Sequence, residues 1–371
     1  MPALKERFFR RNYSGGLYAK ESRRVNKDQV AEAVVLDSVQ SQANRIEDAL
    51  LRAFDEGRLS IPVMAVDVPG HGRVTSLDAP HRIADAIFRD SMLDGRPFHH
   101  TDAGKRFLSA TSVTATAVFE FCPTALVLGY WNSQAGLGTR AAKVARALCS
   151  EIVGYGPVFG VQTGGRLDPL GIPSAAATIY ESAKSEDYWT LSKSDARKEK
   201  GKEKLFGKGK PSDINHGNVP PDVARNDRKE PFQRGATLER IEQTVVLSLA
   251  QLRRLRFPSA DGKPDTERDA AGRSVLAALG LTGVALAFES GYELRSRCTL
   301  FAPTAPELEL VGGDGRFELS SEQAIVLLNE AYKKAKDVGL TWRAGLIPFE
   351  PQPKLIELFQ KGLNVRDAEE E

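Results

Sequence analysis

The 371-residue sequence has few cysteines, few histidines and no excess of charge of one sign. Its three cysteines, Cys122, Cys149 and Cys298, are widely spaced. They predict neither a disulfide framework nor a CxxC zinc site, and they fit a reducing cytoplasm. The five histidines do not fall at metal-ligand spacing, so we expect no metal and no other cofactor. The 51 basic and 49 acidic residues nearly cancel, so only the distribution of charge can indicate a partner.

Long apolar runs and catalytic signatures are also missing. No run approaches the roughly 18 apolar residues that a membrane span needs. The first residues carry charge without an apolar core behind them, so we expect no secretory signal. The motifs GxSxG, HExxH and paired CxxC do not occur, and an enzymatic function therefore lacks its usual supports. The sequence predicts a cytoplasmic protein without a catalytic site.

Periodicity and turn signals predict interleaved helices and strands. Apolar residues spaced by three and four predict a helix over 35–54, capped by Asp37 or Ser38 and followed by Gly57. The other predicted elements are a strand at 61–68, a short helix at 81–90, a strand hairpin over 112–131, a helix at about 139–153, a helix at about 320–337, a strand within 341–349 and a frayed tail from Arg366. This pattern predicts an α+β fold with a mixed sheet and helices on one face. RNA-recognition and ferredoxin-like folds are one member of that class.

Residues 182–236 interrupt the pattern, because they contain few apolar residues and no sustained period. Within them, 193–210 holds eight Lys or Arg against three Asp or Glu. Such a stretch cannot bury enough apolar surface to fold alone, so we expect a mobile insertion or an extended arm. The predicted division is therefore 1–181, 182–236 and 237–371.

One face of the predicted helix 35–54 carries an unusual set of polar residues. Ser38, Gln42, Arg45 and Arg52 share a stripe, with Ser41 beside it and Asn44 on its flank. Hydroxyls and amides next to arginines suit phosphate and ribose contacts. The alternative is an ordinary solvated helix face.

A second candidate site is the glycine-rich segment AGLGTR at 135–140, followed by the predicted helix. Gly136 and Gly138 would let the backbone approach an anion. Thr139, Arg140 and Lys143 would add further contacts at the start of the helix. The spacing matches neither a Walker motif nor a dinucleotide fingerprint. The alternative is a tight turn with basic residues decorating a helix.

The basic segment 193–210 and the following KPSDINHGNVPP form a third candidate. Lysines on a flexible segment suit sequence-independent attraction to phosphates. His216 and Asn218 could stack on splayed bases or hydrogen-bond to them. The alternative is a solvated linker.

The segment TSLDAPHRIADA at 75–86 contains the residues that could support a catalytic function. Asp78 and His81 would then serve a metal-dependent ribonuclease, because carboxylate and imidazole are the usual proton-transfer groups. We prefer to interpret Asp78 as a helix cap just before Pro80.

The segment DSVQSQANRIE at 37–47 resembles the guide-RNA-binding backbone subunit of type I-G (formerly I-U) CRISPR interference complexes, within the Cas-seven superfamily. The resemblance continues through TSLDAPHRIADAIFRDS, GLGTRAAKVARALCSEIVGYG, KPSDINHGN, LSLAQLRRLRF and ALAFESGYELRSRC. It covers roughly residues 34–300 in scattered blocks.

This resemblance implies an RNA-recognition-like palm with finger insertions and a thumb that wedges into the RNA of a neighbouring copy. Copies would form a helical filament on the crRNA, together with other Cascade subunits, and present its bases to target DNA. Base pairing then carries sequence specificity, while protein reads backbone and shape. By position, Ser41, Asn44 and Arg45 would be palm contacts, Gly138, Arg140 and Lys143 would lie at a second palm loop, and His216 and Asn218 would belong to a thumb or finger. A protein-only scaffold, indifferent to RNA, is the remaining alternative.

Overall fold

The computed structural model describes residues 18–132, 142–226, 229–295, 298–302, 305–313 and 315–370. About one third of the chain is helical and nearly as much is in strands, which confirms the α+β class. The described residues divide into two compact units. Unit 1 contains 35–153 and 241–370, and unit 2 contains 18–34 and 154–240. Unit 2 therefore extends beyond the basic insertion predicted at 182–236.

The elements alternate irregularly along the chain. The strands are β1 Lys20–Arg24, β2 Val30–Asp37, β3 Pro62–Val68, β4 Gly72–Thr75, β5 Ser91–Leu93, β6 Arg96–Pro97, β7 Tyr130–Asn132, β8 Ala142–Val144, β9 Leu148–Tyr155, β10 Val158–Val161, β11 Thr163–Arg166, β12 Tyr180–Glu181, β13 Trp189–Thr190, β14 Lys198–Glu199, β15 Lys202–Glu203, β16 Val219–Val223, β17 Gln233–Thr237, β18 Arg240–Leu247, β19 Tyr292–Arg295, β20 Cys298–Leu300, β21 Glu307–Glu309, β22 Arg316–Glu318 and β23 Gly345–Pro351. The α-helices are α1 Val39–Asp55, α2 Ala86–Arg89, α3 Asp102–Leu108, α4 Thr116–Phe121, α5 Pro123–Leu128, α6 Leu249–Leu252, α7 Thr266–Glu289, α8 Ser321–Asp337 and α9 Pro353–Glu370.

Two sheets have more than two strands among the described residues. One has the order β1-β2-β9-β18, and the other has the order β4-β3-β23-β5-β6. In the second sheet β23 is parallel to β3, although the two strands lie at opposite ends of the sequence. The remaining pairs are ribbons, among them β10 with β17, β11 with β16, and β14 with β15 in unit 2.

The core of unit 1 lies around α7. From Val275 to Phe288 this helix is apolar nearly all round, and it packs on α1, α5 and α8. Gly283 allows the close approach of α1, since a Cβ there would lie 2.6 Å from Ile46 Cγ2. The Thr282 hydroxyl donates to the carbonyl of Ala324 on α8 at 2.9 Å. By length and composition α7 could cross a membrane, but 61% of its apolar window is buried, as in the core helix of a soluble protein.

A buried ion pair ties α1 to the segment after β4. Arg82 donates to both carboxylate oxygens of Glu47, at 2.6 and 2.7 Å, and to the carbonyl of Gly129 at 3.0 Å. Arg82 has φ 54°, in the left-handed region that residues with a side chain rarely adopt. Burial raises the pKa of Glu47 to about 7, although the Arg82 guanidinium opposes the shift.

Several predicted elements are confirmed. The strand at 61–68 is β3, the helix at 320–337 is α8, and the last strand is β23. The helix predicted over 35–54 is correct from Val39 onward, but its first residues belong to β2. Ala324 and Leu328 are buried on α8, whereas Leu327 is 44% exposed.

Other predictions are wrong for identifiable reasons. The hairpin predicted over 112–131 consists mainly of α4 and α5, because short apolar runs buried on every side carry no usable periodicity. The helix predicted at 139–153 is wrong, since β8 and β9 occupy its described part. In β9 the alternation includes Ser150, a buried polar residue that hides the strand pattern. The tail predicted to fray is part of α9, which continues to Glu370.

The segment 182–236, predicted as a mobile insertion or an extended arm, contains β13 to β17 and 3-10 turns at Lys193–Asp195 and Pro211–Ile214. Few of its apolar side chains are buried. Backbone pairing and side-chain hydrogen bonds with the preceding residues 159–181 supply the order that composition alone does not indicate.

Candidate nucleic-acid interface

The polar stripe of α1 begins at a buried carboxylate. Asp37 is buried at the end of β2, where its Oδ2 accepts hydrogen bonds from Gln42 Nε2 at 2.6 Å and from Arg45 Nε at 3.0 Å. Ser38 occupies the N-cap position of α1, but its hydroxyl makes no cap hydrogen bond and donates to Gln40 Oε1 at 3.1 Å instead. The predicted side-chain cap of this helix is therefore wrong.

Gln42 belongs to a buried polar network in unit 1. The Ser150 hydroxyl donates to Gln42 Oε1 at 2.7 Å, and Gln243 Nε2 donates to the same oxygen at 3.0 Å. Gln243 Nε2 also lies 2.8 Å from the hydroxyl of Tyr292, whose pKa is raised by burial. Fully satisfied buried networks of this kind rigidify a core.

This network corrects the prediction of a solvent-facing stripe. Ser41 and Gln42 are buried, so they do not lie on an open helix face. Ser38, Asn44 and Arg45 are half-buried, and Arg52 is exposed. Arg45 also donates to the carbonyl of Glu293 at 3.3 Å, and Arg52 lies 3.4 Å from the hydroxyl of Ser290. Arg52 is therefore an exposed member of the stripe, whereas the Arg45 side chain is 14% exposed and is paired with Asp37.

The glycine-rich segment 135–140, which includes Gly136, Gly138, Thr139 and Arg140, lies outside the described residues. Lys143 is exposed on β8, directly across from Trp131 on β7. Trp131 is 61% exposed, and its place at the end of the predicted strand hairpin gave no signal of a surface role. An exposed indole next to a lysine suits a stacked base and its phosphate.

His216 and Asn218 belong to a hydrogen-bond network around Asp168 in unit 2, called here the Asp168 network. Asn218 Oδ1 accepts from the backbone N–H of Asp168 at 2.8 Å, and His216 Nδ1 lies 3.4 Å from Asp168 Oδ2. The carboxylate also accepts from the backbone N–H groups of Leu170 at 2.9 Å and Gly217 at 2.8 Å. Burial would raise the pKa of Asp168, but these hydrogen bonds hold it below its ordinary value.

Arg166 also belongs to the Asp168 network. Its guanidinium donates to the carbonyls of His216 at 2.6 Å and Gly217 at 3.1 Å, and to Asn215 Oδ1 at 3.2 Å. The segment KPSDINHGN therefore holds the loop 167–172 in place. Asn218 acts through the backbone of that loop, while the half-exposed imidazole of His216 remains able to meet a ligand.

The loop 167–172 presents apolar side chains to solvent. Leu167 is 88% exposed and Leu170 is 77% exposed, one on each side of Asp168. Sequence reasoning missed both leucines, because nothing in RLDPLGIP distinguishes a surface loop from a buried turn. Rigid exposed leucines can wedge against an unstacked base.

Lysines are concentrated on a small ordered hairpin in unit 2. In β14 and β15, Lys198 lies across from Glu203 and Glu199 lies across from Lys202. The turn between the strands uses Lys200 at φ 52° and Gly201 at φ 79°. The predicted surplus of positive charge at 193–210 is thus carried on a defined scaffold.

A further set of aromatic and basic residues in unit 2 was not predicted. Tyr18 and Phe159 have ring centroids 5.4 Å apart, and the hydroxyl of Tyr18 accepts from the backbone N–H of Gly235. Lys20 Nζ lies 4.1 Å from the centroid of Phe159, and the Arg240 guanidinium lies 4.4 Å from that of Tyr155. Alternating rings and cations are the usual elements of single-strand binding surfaces.

Asp78 and His81 make local contacts. Asp78 Oδ2 accepts from the Thr75 hydroxyl at 2.7 Å and from the Thr75 backbone at 3.2 Å. The predicted helix cap at Asp78 is wrong, because Asp85 caps the following helix α2 by accepting from Ile87 N at 3.1 Å. Among the residues that the structure describes, no group of three or more His, Cys, Asp or Glu side chains could hold a metal ion.

A family model matches part of the chain. Residues 6–158 match the family model described as CRISPR-associated protein GSU0053. The matched range contains α1 with its polar stripe, and it ends before the Asp168 network and the lysine hairpin. No curated protein matches the chain. The resemblance found in the sequence is confirmed to this extent: over residues 6–158 the chain is similar to the GSU0053 family, and this similarity indicates a CRISPR-associated protein.

Proposed function

We propose that the chain is a cytoplasmic, non-catalytic backbone subunit of a type I-G CRISPR interference complex. Copies of it, with other Cascade subunits, bind along the crRNA and present the guide for pairing with target DNA. An RNA-recognition-like palm and a thumb are part of this proposal. The family match supports a role in CRISPR defence, and the surface chemistry of the two units supports RNA as the ligand.

The observation that carries the proposal is the set of lysines on 193–210. Six of them make no ion pair within the part of the chain that the structure describes: Lys193, Lys198, Lys200, Lys202, Lys208 and Lys210. All six are exposed. Unpaired cations on an ordered scaffold attract a phosphate backbone whatever its sequence, as a guide-binding subunit requires.

The loop 167–172 of unit 2 gives the proposal a second support. The thumb of the proposed subunit wedges into the RNA, and an apolar side chain can fill the gap between two splayed bases. Leu167 and Leu170 are exposed on a loop whose backbone is fixed by Asp168. We assign this loop as the thumb of the proposed subunit.

Neutralising the lysine hairpin tests the proposal. The variant combines Lys198→Gln, Lys200→Asn and Lys202→Gln, with asparagine chosen because it tolerates the left-handed backbone at position 200. We expect RNA affinity to fall and the slope of log affinity against log salt to decrease by about 2, at about 0.7 for each lost single-strand phosphate contact. Fluorescence anisotropy with labelled single-stranded RNA at several salt concentrations measures both quantities.

The matched control neutralises three exposed lysines outside this hairpin, Lys105, Lys333 and Lys334. It should retain both the affinity and the salt slope. Wild-type protein that is free of RNA as purified and has no RNA affinity at low salt would refute the proposal.

The ribonuclease alternative is tested separately at Asp78. Labelled RNA is incubated with the protein and with Mg²⁺ or Mn²⁺. A non-catalytic subunit leaves the RNA intact, whereas cleavage that Asp78→Ala abolishes would favour the enzyme.

A further inference from the structure

The segment after α6 in unit 1 alternates buried and exposed side chains. Leu252, Leu255 and Phe257 are buried, while Arg253, Arg254 and Arg256 between them are exposed. The apolar residues anchor the segment to the core, and the arginines extend from it toward solvent. An irregular segment with this pattern presents three cations within four residues.

The backbone of this segment is held on both sides. The N–H of Arg256 donates to the carbonyl of Ser112 at 2.8 Å, and the carbonyl of Arg256 accepts from the N–H of Ala115 at 3.0 Å. From α7, Arg273 donates to the carbonyl of Leu255 at 2.9 and 3.0 Å. Because the backbone is fixed, a ligand would not need to order it on binding, which lowers the entropic cost of binding.

The charges of the segment are only partly compensated. The buried carboxylate of Asp269 lies 3.2 Å from both Arg256 and Arg273. Within the described ranges, Arg253 and Arg254 make no ion pair, and the guanidinium of Arg254 lies 3.5 Å from Gln251 Oε1. Asp269 is thus already shared, and two neighbouring guanidinium groups are available to an external anion.

We propose that Arg253 and Arg254 bind neighbouring phosphates of single-stranded RNA. This site rests on the proposed function but uses residues outside the stripe of α1, the glycine-rich segment and the lysine hairpin. Guanidinium groups bind phosphate oxygens through paired, charge-assisted hydrogen bonds. A protein partner is less suitable, since the centre of a protein interface is built largely from apolar and aromatic side chains, and Leu252, Leu255 and Phe257 of this segment are buried in unit 1.

The test compares three double variants by anisotropy with a labelled single-stranded RNA over a series of salt concentrations. Arg253→Gln/Arg254→Gln should lower RNA affinity at least about tenfold and reduce the salt slope by about 1.4, for two phosphates. Arg253→Lys/Arg254→Lys should keep the slope and lose part of the affinity, because lysine retains the charge but not the paired donors. Lys333→Gln/Lys334→Gln, on α8, should leave both quantities unchanged.

The outcomes separate this inference from the proposed function. If wild-type protein binds RNA and the glutamine variant matches the α8 control in affinity and slope, the arginine site is refuted while the proposed function stands. If wild-type protein does not bind RNA at all, the proposed function itself fails. A loss seen only with single-stranded DNA of the same sequence would overturn the assignment to RNA. Thermal unfolding identifies a glutamine variant that fails to fold, and in that case the lysine variant alone decides, with an unchanged affinity refuting the site.

Discussion

Glu47 makes the stability of unit 1 depend on pH. Its pKa is about 7 in the folded protein, compared with an ordinary value of 4.5, because burial disfavours the charged form. Between these two values the folded state holds a proton that the unfolded state has released, so the free energy of unfolding falls as the pH rises. The fall from this group is about 3 kcal/mol at most.

Urea unfolding at pH 5 and pH 8 measures this dependence. Glu47→Gln should flatten it, because the amide does not titrate. The control Glu330→Gln, at an exposed position of α8, should retain the wild-type dependence. Equal pH dependence in the two variants would contradict the assignment to Glu47.

Arg82 should be among the most sensitive single positions in unit 1. At pH 8, where Glu47 is ionised in the wild-type protein, Arg82→Met leaves the Glu47 carboxylate and the Gly129 carbonyl without their buried donor, at a cost of about 3–5 kcal/mol in the free energy of unfolding. The double variant Glu47→Gln/Arg82→Met should lose less than the sum of the single losses, since no charge is then left buried. Denaturant titration of all four proteins gives the coupling, and strict additivity would argue against the pair.

At the scale of elements, the same substitution should have opposite effects in two helices. Gly283→Ala places a Cβ 2.6 Å from Ile46 Cγ2, so α1 and α7 must move apart, and we expect a loss of about 1–3 kcal/mol. Gly362→Ala in α9 meets nothing within 4 Å and should stabilise by about 0.5–1 kcal/mol through helix propensity. Thermal unfolding compares the two. A stabilised Gly283→Ala would show that the close approach of α1 and α7 is not needed.

The loop 167–172 is the element on which the thumb assignment depends. Asp168→Ala removes the acceptor for the N–H groups of Leu170, Ile172 and Gly217, so these amides should exchange with solvent faster. RNA affinity should fall at the same time, because Leu167 and Leu170 lose their fixed position. The control Asp187→Ala, at an exposed position of unit 2, should change neither measurement. Faster exchange with unchanged affinity would remove the loop from the proposed RNA contact.

At the scale of the whole molecule, the proposal predicts assembly on RNA. With single-stranded RNA of increasing length, the mass of the complex should rise in steps of one 40.5 kDa chain plus the added RNA. A head-to-tail contact that does not close produces such an open series. Mass photometry can resolve the steps. One chain bound at every RNA length would contradict a backbone subunit.

Local periodicity alone determined several elements of this protein. The spacing of Ala43, Ile46, Leu50 and Ala53 specifies most of α1, and the apolar run of β3 with its Pro69-Gly70 turn specifies a strand. The surplus of lysines at 193–210 is likewise a property of the sequence, and so is the absence of familiar catalytic motifs. These features depend on neighbouring residues, and for that reason the sequence was sufficient to identify them.

Only the tertiary structure decided which polar residues of α1 are buried. Gln42 is buried because Ser150 and Gln243, the latter 201 positions away, supply its hydrogen bonds. The same contact made Ser150 a core residue of β9 and concealed that strand from a periodicity argument. In unit 2, Asp168 likewise depends on His216 and Gly217, about fifty residues later. A polar side chain is buried or exposed according to partners that the fold brings together, and these partners are too far away in the sequence for local pattern to reveal.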